Sequence, residues 1–349
     1  MYQSLIVDGI RYSRDELLKN LVPSLVASGQ AWQIQIGEFI AEWLNGHDAI
    51  QVKTSGSTGI PKIIELSKQS MICSAQRTIR FFGLKPFSRA LLCLPASYIA
   101  GRMMIVRAFV GEWDIHFKQP SHLRFDDGDC YDMVAMVPLQ VEQLLAIGYD
   151  LTPLGTVIIG GAACSQSLRS ALSKFNVWET YGMTETVSHI ALRKMGDEWF
   201  VPLEDVRLSV DRRHCLCIHA PGITREPVGT NDVVELLPDG RFRFLGRTDH
   251  VINSGGIKFF PEQIEQKIAS CLSVSFVIIG VPDGLLGAKM VLVVEDDQVD
   301  ERKLLDALSA HLNRYEIPKA IFCLKPLSRT NNAKLDRTAI RNKVVSLMK

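Results

Sequence analysis

The stretch Thr54-Ser55-Gly56-Ser57-Thr58-Gly59-Ile60-Pro61-Lys62 sets hydroxyls, glycines and a lysine side by side, directly after the β-prone run Ile50-Gln51-Val52. Glycine lets the main chain turn sharply and approach a ligand closely. Successive backbone N–H groups in such a turn form a concave site for an anion, and Lys62 adds a point charge. The stretch predicts a polyphosphate-binding loop without the GxxxxGK[ST] spacing of the usual P-loop. The alternative is a flexible turn.

Length and composition indicate a globular protein. The chain has 349 residues, of which 22% are charged, and this length predicts more than one domain. A net charge of +1 gives no reason to expect a nucleic-acid partner. No apolar run reaches the roughly 18–20 residues of a membrane helix, and the N-terminus lacks the apolar region of a signal peptide. The eight cysteines predict reduced core or near-core thiols in a cytoplasmic protein.

Strand-like and helix-like segments alternate up to about residue 180, which favours a layered α/β domain. In such a domain ligands bind where strands end, here near Pro95, Gly160 and Tyr181. The expected strands are Ala90–Leu94, Met133–Val137, Thr156–Ile159 and Val177–Thr180. The expected helices are Ile34–Leu44, Ser67–Phe82, Arg102–Val110, Leu139–Ile147 and Leu168–Phe175.

From Ile190 the pattern changes to short segments that alternate with a period of two, with a hairpin turn at Asp239-Gly240. A boundary follows at Gly246–His250, and a small α/β unit lies beyond it. We therefore expect a large N-terminal layered α/β domain with a β-rich subdomain over residues 1–246. A small mobile C-terminal α/β domain is expected over residues 250–349.

Tyr181-Gly182-Met183-Thr184-Glu185 follows an expected strand and joins an aromatic ring, a tight turn, a hydroxyl and a carboxylate. The tyrosine face suits a flat base, and Glu185 suits Mg²⁺, which prefers carboxylates and substrate phosphates. A strand-to-turn corner with a surface glutamate fits the same residues equally well.

Three further positions are weaker when taken alone. The Asp232 carboxylate is able to accept both hydroxyls of a ribose, and Arg247 is able to brace it, but each is more often a solvated charge. Lys334 lies in a polar loop, where a lysine is usually a surface residue.

The motifs together resemble those of the adenylate-forming enzymes, the family of acyl-CoA synthetases, peptide-synthetase adenylation domains and luciferases. The stretch Thr54–Lys62 is similar to their TSGSTGxPK signature, and Tyr181–Glu185 to their YGxTE motif. The run from Gly246 through Ser254-Gly255-Gly256 to Glu265 resembles GRxDxxIxxGGxxxxPxEIE, and Leu327–Lys334 resembles the terminal lysine loop. The motifs occur in the family's order across residues 48–349.

The resemblance implies an ATP-dependent acid–thiol ligase that uses ATP, Mg²⁺ and CoA. The residues implied for ATP are Thr54, Ser55, Gly56, Ser57, Thr58, Gly59 and Lys62 at the β- and γ-phosphates, Gly160, Gly161, Ala162, Tyr181 and Gly182 around the adenine, and Asp232 and Arg247 at the ribose. The residues implied for the chemistry are Thr184 at the α-phosphate, Glu185 and Thr58 at the metal, and Lys334 between the acyl carboxylate and the α-phosphate. Asp249 would be the hinge, and Ser254, Gly255 and Gly256 would meet the CoA thiol after the C-terminal domain rotates.

Some residues depart from the family pattern. Ala333 replaces the usual glycine before the lysine, and Tyr98-Ile99-Ala100-Gly101 replaces the HxxG of the acyl-pocket motif. The resemblance within the family favours an aromatic dicarboxylic acid, with Tyr98 and Gly101 in the acyl pocket. Arg107 is then a candidate for the second carboxylate, assisted by Thr186 and Ser188; the alternative is a surface or salt-bridged arginine.

Two other functions stay open. One is an adenylating enzyme for another aryl or short-chain carboxylic acid, with CoA or a carrier-protein thiol as acceptor. The other is a non-catalytic nucleotide-binding homologue, which predicts erosion of the catalytic lysine or glutamate, whereas Lys334 and Glu185 are both present. The expected partners are small molecules, with no nucleic acid and no membrane span, and a homodimer is one expectation for the assembly.

Overall fold

The computed structural model describes residues 2–53, 63–121, 123–126, 128–162, 164–329 and 335–348. The strands in chain order are β1 (Ser4–Val7), β2 (Ile10–Ser13), β3 (Ala49–Lys53), β4 (Ile63–Ser67), β5 (Arg89–Leu92), β6 (Asp114–Phe117), β7 (Met133–Met136), β8 (Thr156–Ile159), β9 (Val177–Gly182), β10 (His189–Lys194), β11 (Val201–Pro202), β12 (Arg207–Val210), β13 (Cys215–His219), β14 (Val228–Leu236), β15 (Phe242–Arg247), β16 (Ile252–Ser254), β17 (Ile257–Phe259), β18 (Phe276–Asp283), β19 (Gly287–Val294) and β20 (Ile321–Cys323). The α-helices are α1 (Arg14–Glu16), α2 (Val22–Ala27), α3 (Ala31–Leu44), α4 (Lys68–Phe82), α5 (Ile99–Gly111), α6 (Pro138–Ala146), α7 (Gln166–Leu172), α8 (Pro261–Ile268), α9 (Glu301–Ser309) and α10 (Arg337–Leu347).

A nine-stranded sheet organises the first two hundred described residues, in the order β11-β10-β9-β8-β7-β5-β6-β1-β2. Its centre, from β9 to β1, is parallel, and β2, β10 and β11 are antiparallel at the edges. Hydrophobic clusters cover both faces, with Leu92 and Ile158 in one cluster and Leu91 and Ile159 in the other. Burial on both faces explains why these strands read as continuous apolar runs.

The chain order reverses at β5, because β6 lies on one side of it and β7 on the other. Ligands in open α/β sheets bind beyond the carboxyl ends of the strands at such a reversal point. The segments that leave β5, β7, β8 and β9 at this edge hold Pro95, Val137, Gly160 and Gly182, and all four residues line one large cleft. The topology therefore puts the expected ligand-binding ends of the strands together.

The predicted helices are confirmed with small shifts at their ends. Helix α4 begins after Ser67, whose hydroxyl accepts from the Ser70 backbone N–H, and ends at Gly83 in the left-handed conformation. Helix α5 begins at Ile99, ahead of the expected Arg102. Helix α7 begins earlier than expected because the Ser165 hydroxyl caps it, and it ends at Leu172.

The β-rich part is a four-stranded antiparallel sheet in the order β12-β13-β14-β15. The expected turn at Asp239-Gly240 is confirmed between β14 and β15, where the Asp239 carboxylate accepts from the Arg241 backbone. The expectation that the β-rich part begins at Ile190 is wrong. Strand β10 belongs to the large sheet and pairs antiparallel with β9, because its residues are buried on both faces like those of its neighbours.

The C-terminal part is a third sheet, in the order β17-β16-β19-β18 with β20 beside β19. Alternate residues of β18 point to opposite faces, so that Ile278 packs with α8 and α9 and Ile279 packs with α10. Ser254 is the last residue of β16, and Gly255 and Gly256, at φ of +57° and +82°, form its turn into β17.

All eight cysteines lie in the described part of the chain and are free thiols, as expected. Cys130 is exposed, so the expectation that every cysteine lies in or near the core is wrong for it. Among the described residues, none of the helices has both the length and the apolar character that crossing a bilayer would require.

Candidate active site

A cleft of about 2100 Å³ opens at the carboxyl ends of the central strands. The residues that line it include sequence-predicted positions from both the nucleotide and the acyl sets. These are Tyr98, Gly101, Arg107, Gly160, Gly161, Ala162, Tyr181, Gly182, Thr184, Ser188, Asp232 and Arg247. The structure thus brings together residues that are spread over about 150 positions of sequence.

The glycines at the end of β8 are required by close contacts. A Cβ atom on Gly160 would lie 2.4 Å from the Thr180 hydroxyl oxygen, and Gly161 has a φ of +85°. The Thr180 hydroxyl itself donates to the Ile159 carbonyl. Main chain with no side chain in the way leaves a flat wall, which is the surface that a nucleobase needs.

Tyr181, Asp232 and Arg247 form one hydrogen-bonded unit. The Tyr181 hydroxyl donates to Asp232 Oδ2 at 2.5 Å, and Arg247 Nη1 donates to Asp232 Oδ1 at 3.0 Å. Burial, followed by the Asp232 charge, raises the pKa of Tyr181 far above its usual range. The Tyr181 ring meets Phe242 edge to face at 5.0 Å between centroids. Asp232 is therefore held in position between the Tyr181 hydroxyl and the Arg247 guanidinium.

The turn after β9 carries Thr184, Glu185 and Thr186. Thr184 lines the cleft, and Glu185 is exposed on the same single turn of 3-10 helix. Thr186 is fully buried, and its hydroxyl accepts from the Met183 N–H and contacts the Met183 and Ser188 carbonyls at 2.9–3.0 Å. The expectation that Thr186 assists the acyl substrate does not fit this placement, because its hydroxyl is occupied by the main chain.

Gly182 lies in the tight turn that the sequence indicated, and the structure adds the contact that requires a glycine there. A Cβ atom there would lie 2.3 Å from the Ser188 carbonyl oxygen and 2.5 Å from the His189 Cα. The absent side chain lets the end of β9 and the start of β10 pass in close contact. Gly182 therefore shapes the turn in addition to lining the cleft.

Arg107 lies on α5 at the inner end of the cleft and is 2% exposed. Its Nη2 donates to Ser188 Oγ at 2.8 Å and its Nη1 contacts Met104 Sδ at 3.6 Å, while its buried Nε has no partner among the described residues. Burial lowers the pKa of Arg107 to about 10, so it stays charged near neutral pH. The alternative of a surface or salt-bridged arginine is wrong within the described chain.

Tyr98 and Gly101, the two other residues expected in the acyl pocket, lie at the start of α5. A Cβ atom on Gly101 would lie 2.4 Å from the Pro95 carbonyl oxygen, so only glycine allows α5 to pack on that loop. Tyr98 precedes the first residue of α5, is 53% exposed and lines the cleft. Tyr98 thus lines the same cleft as Arg107, in keeping with its expected place in the acyl pocket.

Sequence reasoning missed two sets of residues that line the cleft. His189 is buried with Nε2 3.0 Å from the Thr78 hydroxyl, and burial together with the Arg107 charge lowers its pKa well below 6.5. Glu179 accepts from Arg193 at 2.5 Å and from Arg169 at 3.1 Å. No motif marks these residues, since their partners come from other strands and helices and not from a fixed sequence spacing.

Asp249 accepts from Asn231 at 3.1 Å and from Arg247 at 2.9 Å, in a 3-10 turn directly after β15. Arg247 thus contacts both the Asp232 carboxylate and the expected hinge. Ser254, Gly255 and Gly256 lie outside the residues that line the cleft. The Gly255 N–H instead donates to the Leu286 carbonyl at 3.0 Å in the C-terminal sheet.

The predicted phosphate loop and the catalytic lysine lie outside the described residues. This applies to Thr54, Ser55, Gly56, Ser57, Thr58, Gly59, Lys62 and Lys334. Strands β3 and β4, which flank residues 54–62, pair antiparallel with Lys53 opposite Ile63. Arg329 forms an isolated bridge with Leu335 on either side of residues 330–334.

Residues 10–209 match the family model described as AMP-binding enzyme. A 2-succinylbenzoate–CoA ligase of Listeria monocytogenes is 25% identical over 340 residues, which cover 88% of this chain and 72% of that protein. An acyl-CoA synthetase (AMP-forming)/AMP-acid ligase II-like protein of Dyadobacter fermentans is 34% identical over 92% of this chain and 98% of its own, with a TM-score of 0.58. An o-succinylbenzoate CoA synthetase of Bacillus subtilis, solved with its acyl-adenylate intermediate, has the same fold.

The Bacillus structure is 22% identical, covers 84% of this chain and 68% of its own, and aligns with a TM-score of 0.73. The family match covers every strand of the large sheet except β1, with the cleft-lining ends of the central strands, and the motif order along the chain agrees with it. The chain belongs to the AMP-binding enzyme family.

Proposed function

We propose that the protein is an ATP-dependent carboxylate–CoA ligase that converts o-succinylbenzoate to o-succinylbenzoyl-CoA through an acyl-adenylate, a step of menaquinone biosynthesis. Relatives from Listeria, Staphylococcus and Bacillus are 2-succinylbenzoate–CoA ligases, which supports this substrate. The substrate is a dicarboxylate, so the enzyme must activate one carboxylate and recognise the other.

The observation that carries the proposal is Arg107. A buried charge is costly unless it is paired, yet this guanidinium has no acidic partner in the described chain. Ser188 Oγ accepts one of its N–H groups, which leaves the Ser188 proton free to donate. A carboxylate at this end of the cleft would meet both a cation and a hydroxyl donor. The second carboxylate of o-succinylbenzoate supplies that partner.

The other carboxylate attacks the α-phosphate of ATP, and the bond to pyrophosphate breaks as the acyl-adenylate forms; the CoA thiol then attacks the acyl carbon, loses its proton, and AMP leaves. The first attack brings one anion against another. The developing charge needs cations and hydrogen-bond donors placed in advance. We assign Lys334 to bridge the two anions, Thr184 to contact the α-phosphate, and residues 54–62 to hold the β- and γ-phosphates. Mg²⁺, when bound, neutralises phosphate charge, and the exposed Glu185 carboxylate suits a metal that is held largely through substrate phosphates.

Around the nucleoside, Gly160, Gly161 and Ala162 form the adenine wall that Tyr181 faces, and Asp232 accepts the ribose hydroxyls with Arg247 bracing it. In the second half-reaction the C-terminal part turns about Asp249 and brings Ser254–Gly256 to the CoA thiol. Arg247 and Asn231 hold the Asp249 carboxylate in the arrangement seen here. We expect these contacts to break when the C-terminal part rotates. We also expect the enzyme to act in the cytoplasm.

A panel of carboxylic acids tests the proposal in two assays. ATP–pyrophosphate exchange reports adenylation alone, and the same acids with CoA report thioester formation. We expect the highest kcat/KM with o-succinylbenzoate in both assays, and a much lower value for its analogue esterified at the second carboxylate. A fatty acid or an amino acid as the best substrate would overturn the assignment, and no exchange with any acid would favour a non-catalytic homologue.

A further inference from the structure

The turn between β9 and β10 contains an unusual backbone conformation. Val187 has a φ of +66° and a ψ of −48°, in the region that β-branched residues avoid. Such conformations persist only where the surroundings impose them, and they cluster at functional sites. Val187 is 1% exposed, lines the cleft, and directly precedes Ser188.

Thr186 imposes this conformation through its hydroxyl. The hydroxyl lies 3.0 Å from both the Met183 N–H and the Met183 carbonyl, and 2.9 Å from the Ser188 carbonyl, so it ties the entry of the turn to its exit. Three backbone hydrogen bonds close the same turn. The Thr186 N–H donates to the Met183 carbonyl, the Val187 N–H to the Thr184 carbonyl, and the Ser188 N–H to the Thr186 carbonyl. The close passage permitted by Gly182 fixes the exit from outside.

The consequence of this turn is the position of one hydroxyl. Ser188 leaves it with Oγ 2.8 Å from Arg107 Nη2, on a helix 81 positions earlier in sequence. If Val187 relaxed to an ordinary β conformation, the Ser188 side chain would swing away from the Arg107 guanidinium. The buried guanidinium would then lose its only oxygen acceptor in the described chain.

We propose that Thr186 and Val187 are positioning residues that set acyl specificity. They hold Ser188 Oγ on Arg107 so that the hydroxyl and the guanidinium together receive the second carboxylate of the substrate. This inference rests on the proposed function, since it takes Arg107 as the site of that carboxylate. It assigns the selectivity to the turn that orients Ser188 as much as to Arg107 itself.

The test compares four proteins: the wild type, Thr186→Val, Ser188→Ala and the double variant. Thr186→Val keeps the shape of the side chain and removes the hydroxyl. The measured quantity is the selectivity, defined as kcat/KM for o-succinylbenzoate divided by kcat/KM for its analogue esterified at the second carboxylate. Because Thr184 and Glu185 share the turn, damage to adenylation lowers both values and cancels in this ratio.

We expect each single variant to lower the selectivity about tenfold, mainly through KM for the dicarboxylate, with KM for ATP changed less. The double variant should lose no more than either single variant, because both act on one contact. Thr186→Ser, which restores the hydroxyl, should recover most of the selectivity. Melting temperatures measured alongside show whether each variant is folded under the assay conditions.

Two results would separate the possible failures. If the wild type shows no preference for the dicarboxylate, the proposed substrate is wrong. If the wild type shows the preference but Thr186→Val leaves the ratio unchanged, or if the losses of the single variants multiply in the double variant, the positioning role is wrong. Two variants test Val187: Val187→Gly adopts positive φ freely and should keep the selectivity within a few-fold, whereas Val187→Pro, whose φ is fixed at about −65°, should lose it as Thr186→Val does. Equal selectivity in both variants would overturn the role of Val187.

Discussion

Two of the arginines that line the cleft, Arg107 and Arg193, are buried, and they differ in the groups that they contact. Arg193 is 7% exposed, pairs with Glu179 at 2.5 Å, donates to the Glu198 carbonyl and lies 4.3 Å from the centre of the Phe200 ring. Arg107 is 2% exposed and has a serine oxygen and a thioether sulfur instead of a carboxylate. Within the described residues, the charge of Arg193 is paired with a carboxylate and the charge of Arg107 is not.

The difference separates a structural charge from a binding charge. Removing one partner of a buried ion pair destabilises a protein because the other charge is left alone. A buried arginine that already stands alone costs stability in the free enzyme, and a ligand that supplies the missing carboxylate recovers that cost. Burial by itself therefore identifies neither role, and the acidic partner decides.

The strongest way to break the contrast is to give Arg107 a partner. Ser188→Asp replaces the hydroxyl that Arg107 contacts with a carboxylate, and this carboxylate repels the carboxylate of an incoming substrate. We expect kcat/KM for the dicarboxylate to fall by more than about 100-fold, in line with a like-charge cost of roughly 3 kcal/mol. The free energy of unfolding should rise by about 1 kcal/mol. Steady-state kinetics and denaturant unfolding measure the two effects, and Ser188→Asn is the uncharged control.

Removing the unpaired charge should cost activity and leave stability intact. For Arg107→Met we expect kcat/KM for the dicarboxylate to fall about 30-fold, the effect of losing charged hydrogen bonds worth about 2 kcal/mol. The free energy of unfolding should stay equal or increase, since no ion pair is broken in the described chain. Arg107→Lys keeps the positive charge but not the planar guanidinium with its paired donors, so its kcat/KM should lie between those of the wild type and Arg107→Met. A large loss of stability with unchanged kinetics would make Arg107 a structural residue.

Removing the paired charge should do the reverse. For Arg193→Met we expect the free energy of unfolding to fall by about 2 kcal/mol, less than for an isolated buried pair because Arg169 remains beside Glu179. The acyl selectivity of the folded enzyme should change by less than about threefold. Urea unfolding gives the first value and kinetics below the transition give the second. If selectivity collapsed and stability did not, the division of roles would be wrong.

The smallest expected effect concerns two histidines that repeat the contrast. His116 lies between Asp8 at 2.8 Å and Asp114 at 3.0 Å, and these contacts raise its pKa. Buried His189 has no acidic partner among the described residues, and burial lowers its pKa. A histidine whose pKa is raised in the folded state stabilises the folded protein fully below the pKa of the unfolded state, near 6.5. This stabilisation is lost as the pH rises through the pKa of the folded state. The difference in unfolding free energy between wild type and His116→Gln should shrink above pH 6.5, by at most about 1 kcal/mol. A difference that grows with pH would contradict the assignment.

The sequence was informative where local chemistry repeats along the chain. Capping residues such as Ser67 and Gly83 located the ends of α4, and apolar runs located the buried strands. The residues expected around the nucleotide were implied by the resemblance of the motifs to the family, and the structure gathers the described ones around one cleft. Spacing failed at β10, because a strand that is buried on both faces has no alternation to mark its sheet.

By itself, the sequence determined the family, the alternation of strands and helices, and Arg107 as a candidate for a substrate carboxylate. The tertiary structure alone decided that Arg107 is buried with no acidic partner in the described part of the chain, that Thr186 bonds to the main chain, and that Val187 is held at positive φ. The physical reason is that a charge or a hydroxyl is defined functionally by its partners. Those partners arrive from strands and helices far away in sequence, as Ser188 reaches Arg107 across 81 positions.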